Sequence, residues 1–230
     1  MTDHTDTTAP QDSTTDANVK RAAALDTATL SDALDRLGIA GQCHGLAPRS
    51  TNFQFTGRAY TVRYGPASNP PGTVGDYIDD VPAGGVVVLD NAGRTDCTVW
   101  GDILTEIAYH KGIAATVIDG ICRDAHLCLA LGYPVFSRGH WMRTGKDRVQ
   151  VEAVNVPVTI GQTRVQPGDL LRGDTDGVIA IPFEHEKAVL AAAEEIHAAE
   201  MQIRDAVRSG MRLDEARAQF RYHQLQSKTA

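Results

Sequence analysis

Three stretches decide the fold of this chain: Pro82-Ala-Gly-Gly-Val-Val-Val-Leu-Asp90, then Ala114-Ala-Thr-Val-Ile-Asp119, then Tyr133-Pro-Val-Phe136. Residues 86–90 and 114–119 are apolar on both faces, the texture of strands in a sheet covered on both sides. Between them Ile103, Leu104, Ile107 and Ala108 supply a helical stripe, and Gly112 is placed to end it. Gly120 reads as a tight turn, and 124–131 reads as a second helix with Leu127 and Leu131 on one face and Gly132 at its end. Strand, helix, strand, helix, strand in about 50 residues predicts βαβ units with right-handed crossovers.

Outward from this centre the texture changes. Upstream, Leu30, Leu34 and Leu37 stand at i, i+4 and i+7 before Gly38, which predicts a short amphipathic helix over 29–37. Residues 55–63 alternate like a strand, and 65–72, with three prolines and two glycines, read as an irregular loop. Downstream, 149–181 read as strands and turns, and 167–174 weakly echo 82–90. The mixture predicts an α/β protein built as a compact β/β/α three-layer sandwich.

Residues 184–209 contain no Gly or Pro, and Val189, Ile196, Ile203 and Val207 recur near a heptad spacing, which predicts a long helix. With Ile196 at zero, Glu200 falls at about 40°, between Ile203 at about −20° and Ala193 at about 60°. A carboxylate thus lies on the apolar stripe, while Glu194 and Glu195 point to solvent. Residues 1–18 are rich in Thr and Asp and cannot offset their ordering entropy by burial. The expected division is a disordered tail over 1–18, a catalytic domain over 19–182 and a helical extension over 183–230.

Composition narrows the function. The 230 residues carry a net charge of −7 with no basic run, which disfavours nucleic acid and anionic membranes as partners. No stretch of 18 apolar residues and no leader pattern is present, so a cytoplasmic protein is expected. Cys43, Cys97, Cys122 and Cys128 lack the paired spacing of a zinc site and read as reduced, packing thiols.

The chemistry concentrates at Gly101-Asp102, twenty intervening residues, then Arg123-Asp124. Each acid falls where a loop hands over to a helix, and helix starts offer free N–H groups and partial positive charge. Asp102 and Asp124 could therefore cap their helices or hold a cation beside an anionic substrate, and Arg123 could serve that site or a surface ion pair.

At these residues the chain resembles a known family. Trp100-Gly-Asp-Ile-Leu-Thr-Glu-Ile-Ala108, Val117-Ile-Asp-Gly-Ile-Cys-Arg-Asp124 and Leu131-Gly-Tyr-Pro-Val-Phe136 resemble the class II pyruvate aldolases of the 4-hydroxy-4-methyl-2-oxoglutarate type, within the RraA-like family. The similarity runs from about Leu25 to Arg204, through Gly173-Asp174 and Asp176-Gly-Val-Ile-Ala-Ile-Pro182. It implies the RraA-like, swivelling-domain type of fold with a long C-terminal helix, and a homotrimer or homohexamer. It implies further that Asp124 binds Mg²⁺ or Mn²⁺, that Asp102 holds the ion's water, and that Arg123 bonds the keto oxygen of a pyruvyl unit. Backbone N–H groups across Gly101, Asp102, Ile103 and Leu104 would receive the substrate carboxylate. A further acid would enter from a neighbour's C-terminal helix, and Glu200 is the residue that matches.

The physical logic agrees. Cleaving a bond beta to a ketone leaves an enolate, whose charge the site must stabilise more in the transition state than in the ground state. Hard oxygen ligands suit Mg²⁺ or Mn²⁺, and no His and Cys cluster speaks for zinc. Lys20, Lys111, Lys146, Lys187 and Lys228 fall in exposed or terminal contexts, against a Schiff-base mechanism. The expected activity is release of pyruvate from a 4-hydroxy-2-keto acid, with oxaloacetate decarboxylation beside it. Its rivals are an RraA-like inhibitor of a ribonuclease, which would be shorter at the C-terminus, a 2-keto-diacid decarboxylase, and a demethylmenaquinone methyltransferase, for which no Gly-rich nucleotide loop is present. The distal end of the substrate would be read by 65–72, by His44 or by the segment around 220–223.

Overall fold

Asp16 begins the described part of the chain, residues 16–222, in a computed structural model of one subunit. Its carboxylate caps helix α1 (Ala17–Ala23) by accepting the N–H groups of Asn18 and Val19 at 3.0 and 3.2 Å. Ala17 and Asn18, expected in the tail, therefore belong to an ordered helix. The cause is long-range: Arg58 pairs with Asp16 at 2.7 Å and with the buried Glu186, and Asn18 donates to Glu186 at 2.8 Å. Helix α2 (Thr27–Leu37) starts on the Asp26 carboxylate, which accepts the Thr29 N–H, and ends on Gly38 in the left-handed region, as its leucine spacing predicts.

The sheet is built from β1 (Ala47–Pro48), β2 (Phe55–Pro66), β3 (Gly85–Thr98), β4 (Ala115–Cys122) and β5 (Val135–His140), followed by β6 (Val149–Val154), β9 (Leu170–Asp174) and β10 (Gly177–Ile181). The remaining strands, β7 (Val158–Ile160) and β8 (Thr163–Val165), form a separate hairpin. The strand order is β1-β5-β4-β3-β2-β9-β10, and β6 pairs with the second half of β2. Strands β2 to β5 run parallel. The crossovers are helix α3 (Asp102–His110) between β3 and β4, and helix α4 (Ala125–Leu131) between β4 and β5. Right-handed connections put both helices on one face, where they touch. The hairpin packs on β2, β3 and β4 from the other side, and its Gly161 N–H donates to Asp119 of β4 at 3.2 Å. Thr116, three residues earlier and so on the helix face, bonds Tyr133 at 2.8 Å. The layers are hairpin, sheet and helices: a mixed α/β fold with a central sheet.

Two cores hold it together. The larger one gathers Val86–Leu89, Val117, Ile118, Trp100 and Phe136 around the sheet. The second packs α1, α2 and the long helix α5 (Glu186–Arg208) on β9 and β10 through Leu30, Leu34, Leu170, Ile181, Leu190 and Ile196. Each such side chain contributes about 1.5–3 kcal/mol by leaving water. Strand β9 is the seam: Leu170 faces the second core and Leu171 the first. A short helix α6 (Leu213–Gln219) follows against α5.

Several local expectations are corrected. Gly120 lies inside β4, not in a turn, because β3 bulges beside it: an added Cβ would stand 3.2 Å from the Arg94 carbonyl and from Asn91. Strand β3 does not stop at Asp90 but continues through the bulge, with positive φ at Ala92 and Gly93. Ile103 is 71% exposed, so the buried side of α3 is Thr105 and Ala108, with Leu104 and Ile107 half-buried. In α4 the buried residue is Cys128, and Leu127 and Leu131 are half-buried. The α5 stripe ends at Ile203, since Val207 is exposed. Gly65 and Pro66 still belong to β2. All four cysteines are free and buried, and among the described residues no helix is long and apolar enough to cross a membrane.

Candidate functional site

The C-terminal ends of β3 and β4 bring the two acid-bearing junctions together. The buried Thr98 hydroxyl lies 2.8 Å from the Trp100 carbonyl and 3.0 Å from that of Ile121, and the Arg123 N–H donates to Trp100 at 2.9 Å. The Trp100 indole donates to Thr105 at 2.9 Å and stacks on Tyr133 at 6.3 Å. The start of α3 is thereby locked to the start of α4.

Neither acid caps its helix. The N-cap of α3 is Gly101; Asp102 is the first helical residue and is exposed, with its carboxylate 2.8 Å from the N–H of Ile103. Asp124 occupies the N-cap position of α4 without bonding any N–H of that helix, and its backbone is left-handed at φ 54°, ψ 35°. An L residue with a Cβ holds that conformation at a cost of about 1–2 kcal/mol. Its carboxylate turns instead to the other junction, 3.3 Å from the Asp102 N–H and 3.2 Å from Arg123 Nε. A Cβ at Gly101 would stand 2.9 Å from that carboxylate and 3.2 Å from Arg123, so a larger residue here would push both side chains from these positions.

Beside this cluster opens a cleft of about 580 Å³. One wall is the junction itself, with Thr98, Trp100, Gly101, Asp102, Leu104 and Arg123. Asp124 stands just behind Gly101 and Arg123. The second wall is the segment 72–79, which carries Asp76 and Asp79 and is anchored where Tyr64 donates to the Val74 carbonyl at 2.6 Å. The loop 144–146 closes a third side. Neither the second wall nor this loop shows periodicity or motif in the sequence, and only Gly72 of the expected loop 65–72 lines the cleft.

Among the described residues no group of three or more His, Cys, Asp or Glu side chains is placed to hold a metal ion. The donors at the junction are the carboxylates of Asp102 and Asp124. One or two carboxylates with the remaining positions left to water is a set that fits a hard, hydrated cation such as Mg²⁺ or Mn²⁺, not a closed zinc site.

Glu200 is not brought to this cluster within one chain. It lies half-buried on α5, accepts from Tyr222 at 3.3 Å and pairs with Arg204 at 3.6 Å, and α5 packs on α1, α2 and α6 instead. His44 sits at the β7–β8 turn, where its N–H donates to Gly161, and does not line the cleft. Lys146, set aside with the exposed lysines, is exposed and does line it. His223 and Lys228 lie outside the described residues, as does 1–15 of the expected tail.

Residues 27–180 match the family described as RraA-like: Aldolase/RraA. The chain is 38% identical over 201 residues to Protein DlpA of Legionella pneumophila, and it spans 86% of its own length but only 32% of that relative. It is 36% identical over 172 residues, 74% of this chain and 79% of the relative, to a Halalkalibacterium halodurans protein named "Putative 4-hydroxy-4-methyl-2-oxoglutarate aldolase". Among solved structures, an uncharacterized protein from Pseudomonas syringae pv. tomato superposes with a TM-score of 0.82 at 42% identity, covering 87% of this chain and 96% of that one. RraAS2 of Streptomyces coelicolor, described as an unusual member of the RNase ES inhibitor RraA protein family, superposes at 0.75 with 26% identity, covering 84% and 98%.

Proposed function

We propose, from the fact that this chain belongs to the RraA-like family, that it is a divalent-cation-dependent carbon–carbon lyase releasing pyruvate from a 4-hydroxy-2-keto acid. Decarboxylation of oxaloacetate would be a side reaction on the same cleft. The observation that carries the reading is Asp124. Its strained backbone contributes no cap in return, and its carboxylate is aimed at Arg123 and the first N–H of α3. Strain of this kind clusters at active sites and ligand clamps.

In this reading the substrate carboxylate takes over the Asp102 and Ile103 N–H groups from the Asp124 and Asp102 carboxylates that hold them in the free protein, and Arg123 donates to the keto oxygen. Mg²⁺ or Mn²⁺ held by Asp124, with Asp102 on its water shell, would supply positive charge where the enolate oxygen develops. A base, Asp102 or the partner subunit's Glu200 in a trimer or hexamer, removes the proton of the 4-hydroxyl. The C3–C4 bond then breaks, C4 becomes a carbonyl, and the electron pair passes to the enolate, whose oxygen Arg123 holds until C3 is protonated to give pyruvate. Arg123 suits this task because its planar charge is permanent.

The regulator reading draws on the likeness to RraAS2. That likeness covers 84% of this chain, more than the domain alone, so a long C-terminal extension does not separate enzyme from regulator. The test is a coupled pyruvate assay over 4-hydroxy-2-keto acids and oxaloacetate. Turnover should vanish in EDTA and return with Mg²⁺ or Mn²⁺. Undiminished release in excess chelator refutes the cation, and no release from any substrate refutes the lyase.

A further inference from the structure

We propose that Lys146 is a specificity-determining residue of the cleft, holding the second carboxylate of a dicarboxylic 2-keto acid whose first carboxylate sits at the start of α3. The inference rests on the lyase reading of the same cleft.

The loop that carries Lys146 is pinned against the end of β3. The Thr98 N–H donates to the Arg143 carbonyl at 2.9 Å, and Thr98 pairs with Thr144 in an isolated parallel bridge. Gly145 is buried, and a Cβ there would stand 2.3 Å from the Thr98 carbonyl and 2.8 Å from Val149, so only glycine lets the loop come this close. Arg148 then spans the turn from inside, donating to the carbonyls of Thr144 and Lys146, both at 3.2 Å. The Lys146 N–H closes on the Thr144 hydroxyl at 3.2 Å. The side chain alone is left to move, rooted at a fixed point on the cleft wall.

Charge selects what it meets. Five charged residues line the cleft: Asp76, Asp79, Asp102, Arg123 and Lys146. Arg123 is engaged with Asp124 and belongs to the keto end. Asp76 and Asp79 make the 72–79 wall acidic, and a second substrate carboxylate placed there would meet like charge. Lys146 is the lining cation that remains, and among the described residues no carboxylate pairs with its ammonium. A monoanionic 2-keto acid leaves that charge unused, whereas a dianion places one carboxylate at the start of α3 and offers the other to Lys146.

Binding separates the subsite from turnover. Titration calorimetry in Mg²⁺ buffer would compare 2-oxoglutarate, which lacks the 4-hydroxyl and cannot undergo the aldol cleavage, with 2-oxopentanoate, which has a methyl in place of the distal carboxylate. Wild type should prefer the dianion by about tenfold, as one charge-assisted contact gives. Lys146→Met should erase the preference by weakening the dianion alone, and Lys146→Arg should keep most of it. Circular dichroism of both variants should match wild type, since Lys146 is exposed. No preference in wild type, or a preference that survives Lys146→Met, overturns the assignment. A preference that tracks Lys146 in a protein that releases no pyruvate upholds the subsite and removes the lyase reading, whereas pyruvate release without that preference does the reverse.

Discussion

Replacing Asp124 by Gly, Ala and Asn separates the chemistry of this residue from its backbone. At φ 54° and ψ 35° a Cβ costs about 1–2 kcal/mol, which Gly avoids, while Gly gives back about 0.5–1 kcal/mol through the freedom of its unfolded chain. The ion pair with Arg123 has both side chains about a third exposed, so its loss costs well under about 1 kcal/mol. Asp124→Gly should therefore match or slightly exceed wild type in stability. Asp124→Ala keeps the strain, loses the polar side chain that eases it, and should fall about 1 kcal/mol below the Gly variant, or about 2–4 °C in Tm for a chain of this size. Asparagine tolerates the left-handed region, so Asp124→Asn should melt close to wild type. Melting would be followed in EDTA at one fixed protein concentration, because binding and assembly both shift Tm. All three variants should lose pyruvate release. Equal melting of the Ala and Gly variants would refute the strain argument, and near-normal turnover by the Asn variant would make Asp124 structural.

Three further outcomes follow from the geometry. Arg123→Lys should lower kcat and kcat/KM together, the pattern of an interaction made only in the transition state; a raised KM with kcat intact would assign Arg123 to uniform binding. Mixing Asp124→Asn with Glu200→Gln subunits, after native mass spectrometry shows exchange, should regenerate part of the activity if Glu200 acts in a neighbour's cleft; exchanged oligomers as dead as both parents would exclude that role. At the α1 cap, burial alone would raise the Asp16 carboxyl, but Arg58 and the N–H groups of Val19 and Asn18 outweigh it and hold the group below its usual value of 3.8. The folded value is depressed, so the stabilisation is full above about pH 4 and fades as pH falls through the folded value. The stability gap between wild type and Asp16→Asn should accordingly shrink below pH 4, and a gap that widens there would contradict the assignment.

The parallel centre of the sheet is legible because Val86–Val88 and Val117–Ile118 are short, β-branched runs, apolar on both faces and bounded by Gly84, Gly85, Gly112 and Gly120. The pairing of the two acids is legible as spacing. Their conduct is not: an Asp before a helix reads as a cap, and only the left-handed backbone of Asp124 shows that its carboxylate faces α3 instead of α4. Ile103 reads as core because it keeps helical register, yet the first turn of α3 opens on the cleft and leaves it in solvent. The wall 72–79 is silent in sequence, since it is positioned by Tyr64 from another strand. Gly145 is equally silent, because a need for glycine set by the Thr98 carbonyl is visible only in three dimensions.

The two cores that meet at β9 make damage travel unevenly through this molecule. Leu170 and Leu171, adjacent in the chain, look into different interiors. A cavity cut beneath α5 at Leu190 or Ile196 would loosen the helical end first, with the sheet that carries the cleft still closed around Trp100 and Phe136. Amide protection should then fall as a block across α1, α2 and α5 while β3 and β4 keep theirs, so a worn helical end would be shed as one cooperative unit with the cleft left standing.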